Sequence, residues 1–277
     1  MRKATKYGAD ALVFDLEDAV PEAHRPQARK MVRRVTEELA AQGHTIFVRV
    51  NGMDTYQTGE DLEAVLCEGL HAIFLPKTRG PEDIVGVAAL LEHLEYRAGL
   101  QIGHTLINPL LETAQSVRLA YEIGVASQRV AYMGYGSAKD GDGARSIGYE
   151  WTPEGKESLH IRGSVLVDAR AAGIEYPITG LWPHVGEHGG LRSMAVESKE
   201  LGYNGMMCIH PSHVPIINEV FSPTAAQIEE WKGVIAALEE AEASGTTAIQ
   251  RDGFLIDTAM VKVAKERLEH AKKLGLA

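Results

Sequence analysis

At 277 residues, the chain has enough material for one large domain or two small ones, and 45% apolar with 24% charged residues is ordinary for a globular protein. A formal charge of −10 excludes a general nucleic-acid binder, which needs a basic face, and leaves room for a local arginine serving a small anionic substrate. No run approaches the ~20 apolar residues that cross a bilayer, and Tyr7-Gly8-Ala9-Asp10 interrupts the start too early for a signal peptide, so no membrane partner is expected.

Cys67 and Cys208 lie far apart and outside any CxxC pair, as buried thiols of a reducing compartment do. A cytoplasmic location is therefore expected.

In chain order, short β-branched apolar runs alternate with helical stretches. The runs are ALVFDLE (11–17), TIFVRVN (45–51), AIFLPK (72–77), HTLINPLLE (104–112), RVAYMGYG (129–136), YPITGL (176–181) and GMMCIHP (205–211). Amphipathic segments such as EAHRPQARKMVRRVTEELAAQG and PEDIVGVAALLEHLEYRAG separate them. This alternation indicates a parallel sheet with helical crossovers. Seven strands is one short of a closed barrel, and the chain opens on a helix remnant, MRKATKYGAD, where a (β/α)8 chain starts with a strand. The expected fold is thus an α/β (β/α)8 barrel with its first strand missing; an open doubly wound sheet is the alternative. A barrel lacking one strand exposes two edges, so the chain is expected to be weakly active or unstable.

After the seventh run the pattern changes. Ser222-Pro223 reads as a helix start, with that helix running to about Ser244-Gly245. AIQRDGFLID reads as a hairpin turning at Asp252-Gly253, and TAMVKVAKERLEHAKKLG as a last helix. The expected division is a barrel over 1–221 and, over 222–277, a helix–hairpin–helix appendage packing on the barrel or a neighbouring subunit.

In parallel α/β folds chemistry gathers at the carboxyl ends of the strands. Here those ends are Asp15-Leu16-Glu17-Asp18, Arg49-Val50-Asn51, Pro76-Lys77, Glu112-Thr113, the Asp140/Asp142 loop, Trp182-Pro183-His184 and His210-Pro211. Several carboxylates with one Arg and one Lys can hold a hard cation and an anionic ligand together. Asp140-Gly-Asp142-Gly is not a calcium loop: the sixth position is Arg145 instead of Gly and the twelfth is Trp151 instead of Glu.

LVFDLEDAVPEAH, FVRVNGMDT, IFLPKT, LLETAQSV, CIHPSHVPIINEVFSP and GFLIDTAMVKVA resemble, in order and over almost the whole chain, the citrate-lyase-β-like group of the HpcH/HpaI aldolase superfamily. That resemblance implies a (β/α)8 barrel, a Mg²⁺ ion, a CoA thioester and keto acid as small-molecule ligands, and a homotrimer or homohexamer. It implies Glu112 as a metal ligand, Arg49 as the residue on the thioester carbonyl, and Asp257 as an acid/base that reaches a neighbouring subunit's site in some relatives. Glu17 and Asp18 match the acidic pair near the metal. The second ligand falls at Asp142 by the downstream match; counting from Tyr135-Gly136 gives Lys139, which cannot bind Mg²⁺, or Asp140 with one insertion. Trp182-Pro-His184 departs from the Tyr and Asp of many relatives.

Each residue also has a plainer reading. Arg49 can simply pair with Asp15 or Glu17, and Lys77 can bind a substrate anion or form a salt bridge. Asp257 makes a helix cap, worth roughly 1 kcal/mol. His210 reads as a satisfied core histidine, and His184 with His188 lack a third zinc ligand.

The resulting expectation is a Mg²⁺-dependent carbon–carbon lyase, or synthase in reverse, acting on a 3-hydroxyacyl-CoA such as citramalyl-, malyl- or citryl-CoA. A class II aldolase acting on free hydroxy-keto acids, a malyl-CoA-type thioesterase and a non-catalytic homologue are the alternatives.

Overall fold

Five of the β-branched runs form one parallel sheet wound in chain order. The computed structural model describes residues 1–243, 248–251 and 254–277, in two units, Met1–Asn218 and Glu219–Ala277. In the first unit the order is β1 (Ala11–Asp15), α1 (Arg25–Ala40), β2 (Thr45–Arg49), α2 (Thr58–Val65), β3 (Leu70–Leu75) and α3 (Pro81–Ala98). Next come β4 (Leu106–Leu111), α4 (Ala114–Arg118), α5 (Ala120–Val125), β5 (Gly134–Tyr135), α6 (Asp142–Ile147), α7 (Lys156–Ala171), β6 (Ile178–Thr179), α8 (His188–Leu201) and β7 (Gly205–Met206). A short 3₁₀ turn over Arg2–Tyr7 precedes β1, where a helix remnant was expected.

The bonded order is β1-β2-β3-β4-β5, and β6 pairs with β7. Ile178 N–H donates to Met133 O at 3.1 Å, so β6 follows β5. The order never reverses, which removes the doubly wound alternative: that arrangement needs a switch point. Among the described residues, β1 pairs with β2 alone.

Period-2 alternation sorts the side chains onto two faces. Leu12, Phe14 and Leu16 join Val32, Val35 and Leu39 of α1 and the outward residues Ile46, Val48, Ile73 and Leu75 in the core beneath the helices. Phe47, Ala72 and Phe74 face the other way, with Leu106, Leu110, Tyr132, Ile178 and Met207 around them. Asp15 is in register with Arg49. Both therefore project to the inner face.

The last three strands are much shorter than expected. Ile107 N–H points towards the fifth strand, donating to Arg129 O at 2.7 Å. Pro109, two residues on, has no N–H to repeat that bond. Pairing breaks after the isolated bridge Ile107↔Val130 and resumes at Leu110↔Gly134, one extra residue having accumulated on the fifth strand. A Cβ on Gly134 would stand 1.6 Å from Ile178 O, so only glycine lets β5 and β6 approach here.

The boundary between the units falls within α9 (Val214–Phe221), and the second unit continues with α10 (Ala225–Ala243), β8 (Ala248–Arg251), β9 (Phe254–Asp257) and α11 (Thr258–Lys273). The expected start at Ser222-Pro223 is corrected. Thr224 caps α10: Gln227 N–H donates to Thr224 Oγ1 at 3.2 Å, and Thr224 N–H to Gln227 Oε1 at 3.0 Å. A reciprocal capping box satisfies two end groups, which a Ser-Pro start does not. β8 and β9 pair antiparallel; the expected turn at Asp252-Gly253 and the helix end at Ser244-Gly245 lie outside the described residues. Leu238 of α10 and Val261 of α11 pack together with Val234 and Ile235.

Two glycines test this packing from opposite sides. Gly134→Ala is expected to cost about 3 kcal/mol or more in urea unfolding, because backbone must move. Gly163, inside α7 with open space around it, is expected to gain ~0.5–1 kcal/mol as Gly163→Ala.

Candidate active site

At the carboxyl end of β1, Asp15 accepts from the Glu17 amide at 3.0 Å and the Ala19 amide at 3.1 Å. These bonds turn the chain so that Glu17 and Asp18 follow close by. Arg49, at the end of β2, forks onto Asp15, Nε to Oδ1 at 2.7 Å and Nη2 to Oδ2 at 2.6 Å. Its remaining nitrogen, Nη1, lies 3.0 Å from Glu17 Oε2 and 3.9 Å from Asp18 Oδ2. Burial works to raise the Asp15 carboxyl, but the Arg49 fork and the two amides override it and hold the group below the usual carboxylate range.

The end of β2 is itself braced. Asn51 N–H and Nδ2 both donate to Asp61 Oδ2 at 2.7 Å, and Asn51 Nδ2 also reaches Leu16 O at 3.0 Å. Arg29 Nε holds the other Asp61 oxygen at 2.6 Å. Asp61 was not singled out in the sequence because an acidic residue in a helix ordinarily faces solvent; here it is fully buried.

Lys77 follows β3 with φ +50°, the left-handed region that non-glycine residues seldom adopt. That turn sends its N–H to Glu112 Oε1 at 2.7 Å and its ammonium back to Glu17 Oε1 at 2.8 Å. Nζ also lies 3.7 Å from Asp18 Oδ1 and 3.7 Å from Asp142 Oδ2. Burial opposes the Lys77 charge, and the Glu17 bond with the neighbouring carboxylates raises the group above its ordinary value. Glu17 shows the reverse balance: burial lifts it above its ordinary value despite both cations.

Glu112 closes β4. Burial, with the charges of Glu17 and Asp142 adding to it and the Lys77 amide opposing, pushes its carboxyl up to about 7. Asp142 opens α6 and pairs with Arg145 at 2.5 Å. Its loop is pressed against β5: a Cβ on Gly143 would come within 2.6 Å of both Gly136 O and Tyr135 Oη. Tyr135 Oη in turn donates to Tyr149 Oη at 3.1 Å.

Asp15, Glu17, Asp18, Arg49, Lys77, Glu112 and Asp142 thus come together, as the strand ends imply. The plain pairings also exist, since Arg49 binds Asp15 and Glu17 and Lys77 binds Glu17. Lys139 and Asp140 are exposed, with Asp140 on a left-handed turn at φ +55°, and among the described residues no ion pair joins either to the cluster. Asp257 lies in the second unit and caps α11, accepting from Ala259 N–H at 2.9 Å and Met260 N–H at 3.1 Å.

His210 is a correction. It is exposed, not a core residue: its Nδ1 faces Ser212 Oγ at 2.8 Å and caps the turn at Pro211. His213 is the buried histidine. His184 packs between Trp151 and Trp182, ring centroids 5.7 Å from each. Among the described residues no three His, Cys, Asp or Glu side chains form a ready-made metal cage. Glu112 and Asp142 instead offer two hard oxygen donors, the small protein ligand set that leaves a Mg²⁺-type ion several waters. The donors fit such an ion: when ionised, five carboxylates face Arg49, Lys77 and Arg145, an excess of two negative charges.

A parallel sheet wound in one direction, with a charged cluster at the carboxyl ends of its strands, defines a barrel-type α/β enzyme. The chain belongs to the HpcH/HpaI aldolase/citrate lyase family, whose pattern matches residues 1–211, as the six motifs imply. It is 30% identical over 270 residues to the citrate lyase subunit beta of Escherichia coli (strain K12), covering 98% of this chain and 88% of that one. It is 34% identical over 276 residues to the (3S)-malyl-CoA thioesterase of Cereibacter sphaeroides (strain ATCC 17023), covering 99% and 91%. The fold superposes on the CitE protein of Mycobacterium tuberculosis, solved with magnesium, acetoacetate and coenzyme A, with a TM-score of 0.75 at 24% identity, covering 98% and 93%.

Because Glu112 is raised in the folded chain, its contribution to stability is full below the unfolded value near ~4.3 and is lost as pH rises through about 7. In the presence of EDTA, wild-type unfolding free energy is expected to fall by about 2–3 kcal/mol between pH 5 and 8 relative to Glu112→Gln. Urea titrations of both proteins across that range measure it; parallel curves contradict a half-buried, proton-binding Glu112.

Proposed function

We propose that this protein is a Mg²⁺-dependent carbon–carbon lyase, or the corresponding synthase, that cleaves a 3-hydroxyacyl-CoA to a short acyl-CoA and a keto acid. The observation that carries the reading is Glu112: a half-buried carboxylate pushed up to about 7, one strand from Asp142, in a cluster with surplus negative charge. Glu112 and Asp142 are the residues proposed to hold Mg²⁺. When bound there, the ion would act as a Lewis acid on the carboxylate and adjacent oxygen of the acid half. Arg49, already oriented by Asp15 and Glu17, would stabilise the enolate oxygen of the departing acyl-CoA. Asp257 would carry the proton to or from the enolate carbon. Lys77 would position Glu112 through its amide and receive substrate carboxylate through its ammonium, with Glu17 and Asp18 orienting both cations.

The wider reading follows the family. The sheet is taken as that of a (β/α)8 barrel whose place between β7 and β1 is filled by no strand of the described residues, with residues 222–277 as an appendage to barrel residues 1–221. The assembly proposed is a homotrimer or homohexamer. Cys67 and Cys208 are both free, in keeping with a cytoplasmic protein. The 34% identity to a malyl-CoA thioesterase supports a second reading, hydrolysis of the thioester alone.

A panel of citramalyl-, malyl-, methylmalyl- and citryl-CoA, assayed with and without EDTA, separates them. Cleavage of at least one to acyl-CoA and keto acid is expected, abolished by EDTA and restored by Mg²⁺. Arg49→Gln should lower kcat/KM by about 10²-fold or more, and Asp142→Ala should weaken Mg²⁺ binding in calorimetry. Free CoA without a keto acid points to the hydrolase. Silence on all four esters sinks the lyase reading.

A further inference from the structure

Away from the carboxylate cluster, α7 buries a guanidinium that the site chemistry does not use. Arg162 is 1% exposed. Its Nη2 binds Glu197 Oε2 at 2.6 Å and Gly155 O at 3.2 Å, while Nε and Nη1 are buried with no hydrogen-bond partner. An arginine stays charged and offers donors only, so these two idle nitrogens, with three N–H groups between them, call for an acceptor from elsewhere. Ser137 Oγ is buried and unpartnered as well. Both residues line a cavity of about 120 Å³, with Trp151, Thr152 and Ser193 on its walls. Trp182, whose Nε1 is a further idle buried donor, packs on Trp151 at 5.5 Å between ring centroids.

None of the residues of the carboxylate cluster lines this cavity. Gly136, just beyond β5, packs against Glu112, whereas the next residue, Ser137, lies against Gly180 and lines the cavity. Two acidic residues, Glu154 and Glu197, also line the cavity. Glu154 is exposed to water, and Glu197 engages the guanidinium through one nitrogen only. The local surplus is therefore of donors around a single fixed positive charge.

We propose that this cavity is a second binding site, for a small oxyanion (a carboxylate or a phosphate group), held by Arg162 and Ser137. It is independent of the lyase reading and of any metal. Calorimetric titration of the full chain with inorganic phosphate and, separately, acetate tests it. Saturable binding of at least one anion is expected, phosphate alone assigning a phosphoryl ligand and acetate alone a carboxylate. Glu197→Gln removes the competing carboxylate and should tighten binding about fivefold, whereas Ser137→Ala should weaken it about threefold. Circular dichroism checks that both variants fold; if Glu197→Gln does not, Ser137→Ala decides alone. No binding of either anion by the wild-type chain and by Glu197→Gln overturns the proposal, as does binding that is indifferent to both substitutions. A structural arginine hydrated by a trapped water predicts that silence.

Discussion

Everything at the carboxyl end of this sheet depends on one carboxylate shared by two cations. Glu17 gives Oε2 to Arg49 and Oε1 to Lys77, and so joins the ends of β1, β2 and β3. The parallel register Asp15↔Arg49 makes the sharing possible, because Arg49 can fork onto Asp15 and still spare a nitrogen for Glu17. The arrangement contributes little to stability: partly buried charges lose hydration roughly as fast as they gain attraction. Its effect is on direction. Each cation is held by a carboxylate, so neither swings into solvent, and Lys77 keeps the left-handed turn that aims its amide at Glu112.

Close backbone approach is the second requirement, and it is met by glycine at chosen points. Gly134 lets β5 touch Ile178, and Gly143 lets the Asp142 loop lie on Gly136 and Tyr135. A side chain at Gly134 separates strands, and one at Gly143 lifts Asp142 away from Lys77. The glycines of 134–143 are thus packing devices with a consequence for charge placement, not a flexible turn.

The parts of this structure legible in the sequence are those set by local pattern. Alternation identifies the strands and puts Asp15, Arg49 and Glu112 at their ends, and six motifs in order carry the family. What was not legible depends on partners distant in sequence. Shortening of the fifth strand follows from which neighbour the Pro109 nitrogen faces, and a string of residues does not say that. Ser222-Pro223 looked like a helix start until Thr224 and Gln227 capped each other one step later. His210 is exposed and His213 buried because a three-residue turn decides which ring points inward. Asp61 and Arg162 look like surface residues of amphipathic helices, and only burial distinguishes them.

The charge excess also constrains the order of events in the proposed reaction. An anionic acid half meets a cluster of five carboxylates in which Arg49 and Lys77 are already engaged. Without a further positive charge the cluster repels such a ligand, and Glu112 answers its neighbours by holding a proton near neutral pH. A divalent ion held by Glu112 and Asp142, as proposed, would take the place of that proton and cancel the surplus. Cation before substrate is the sequence this electrostatics favours. The raised Glu112 carboxyl fits that proposal: burial and the neighbouring charges of Glu17 and Asp142 favour its neutral form until a further positive charge arrives.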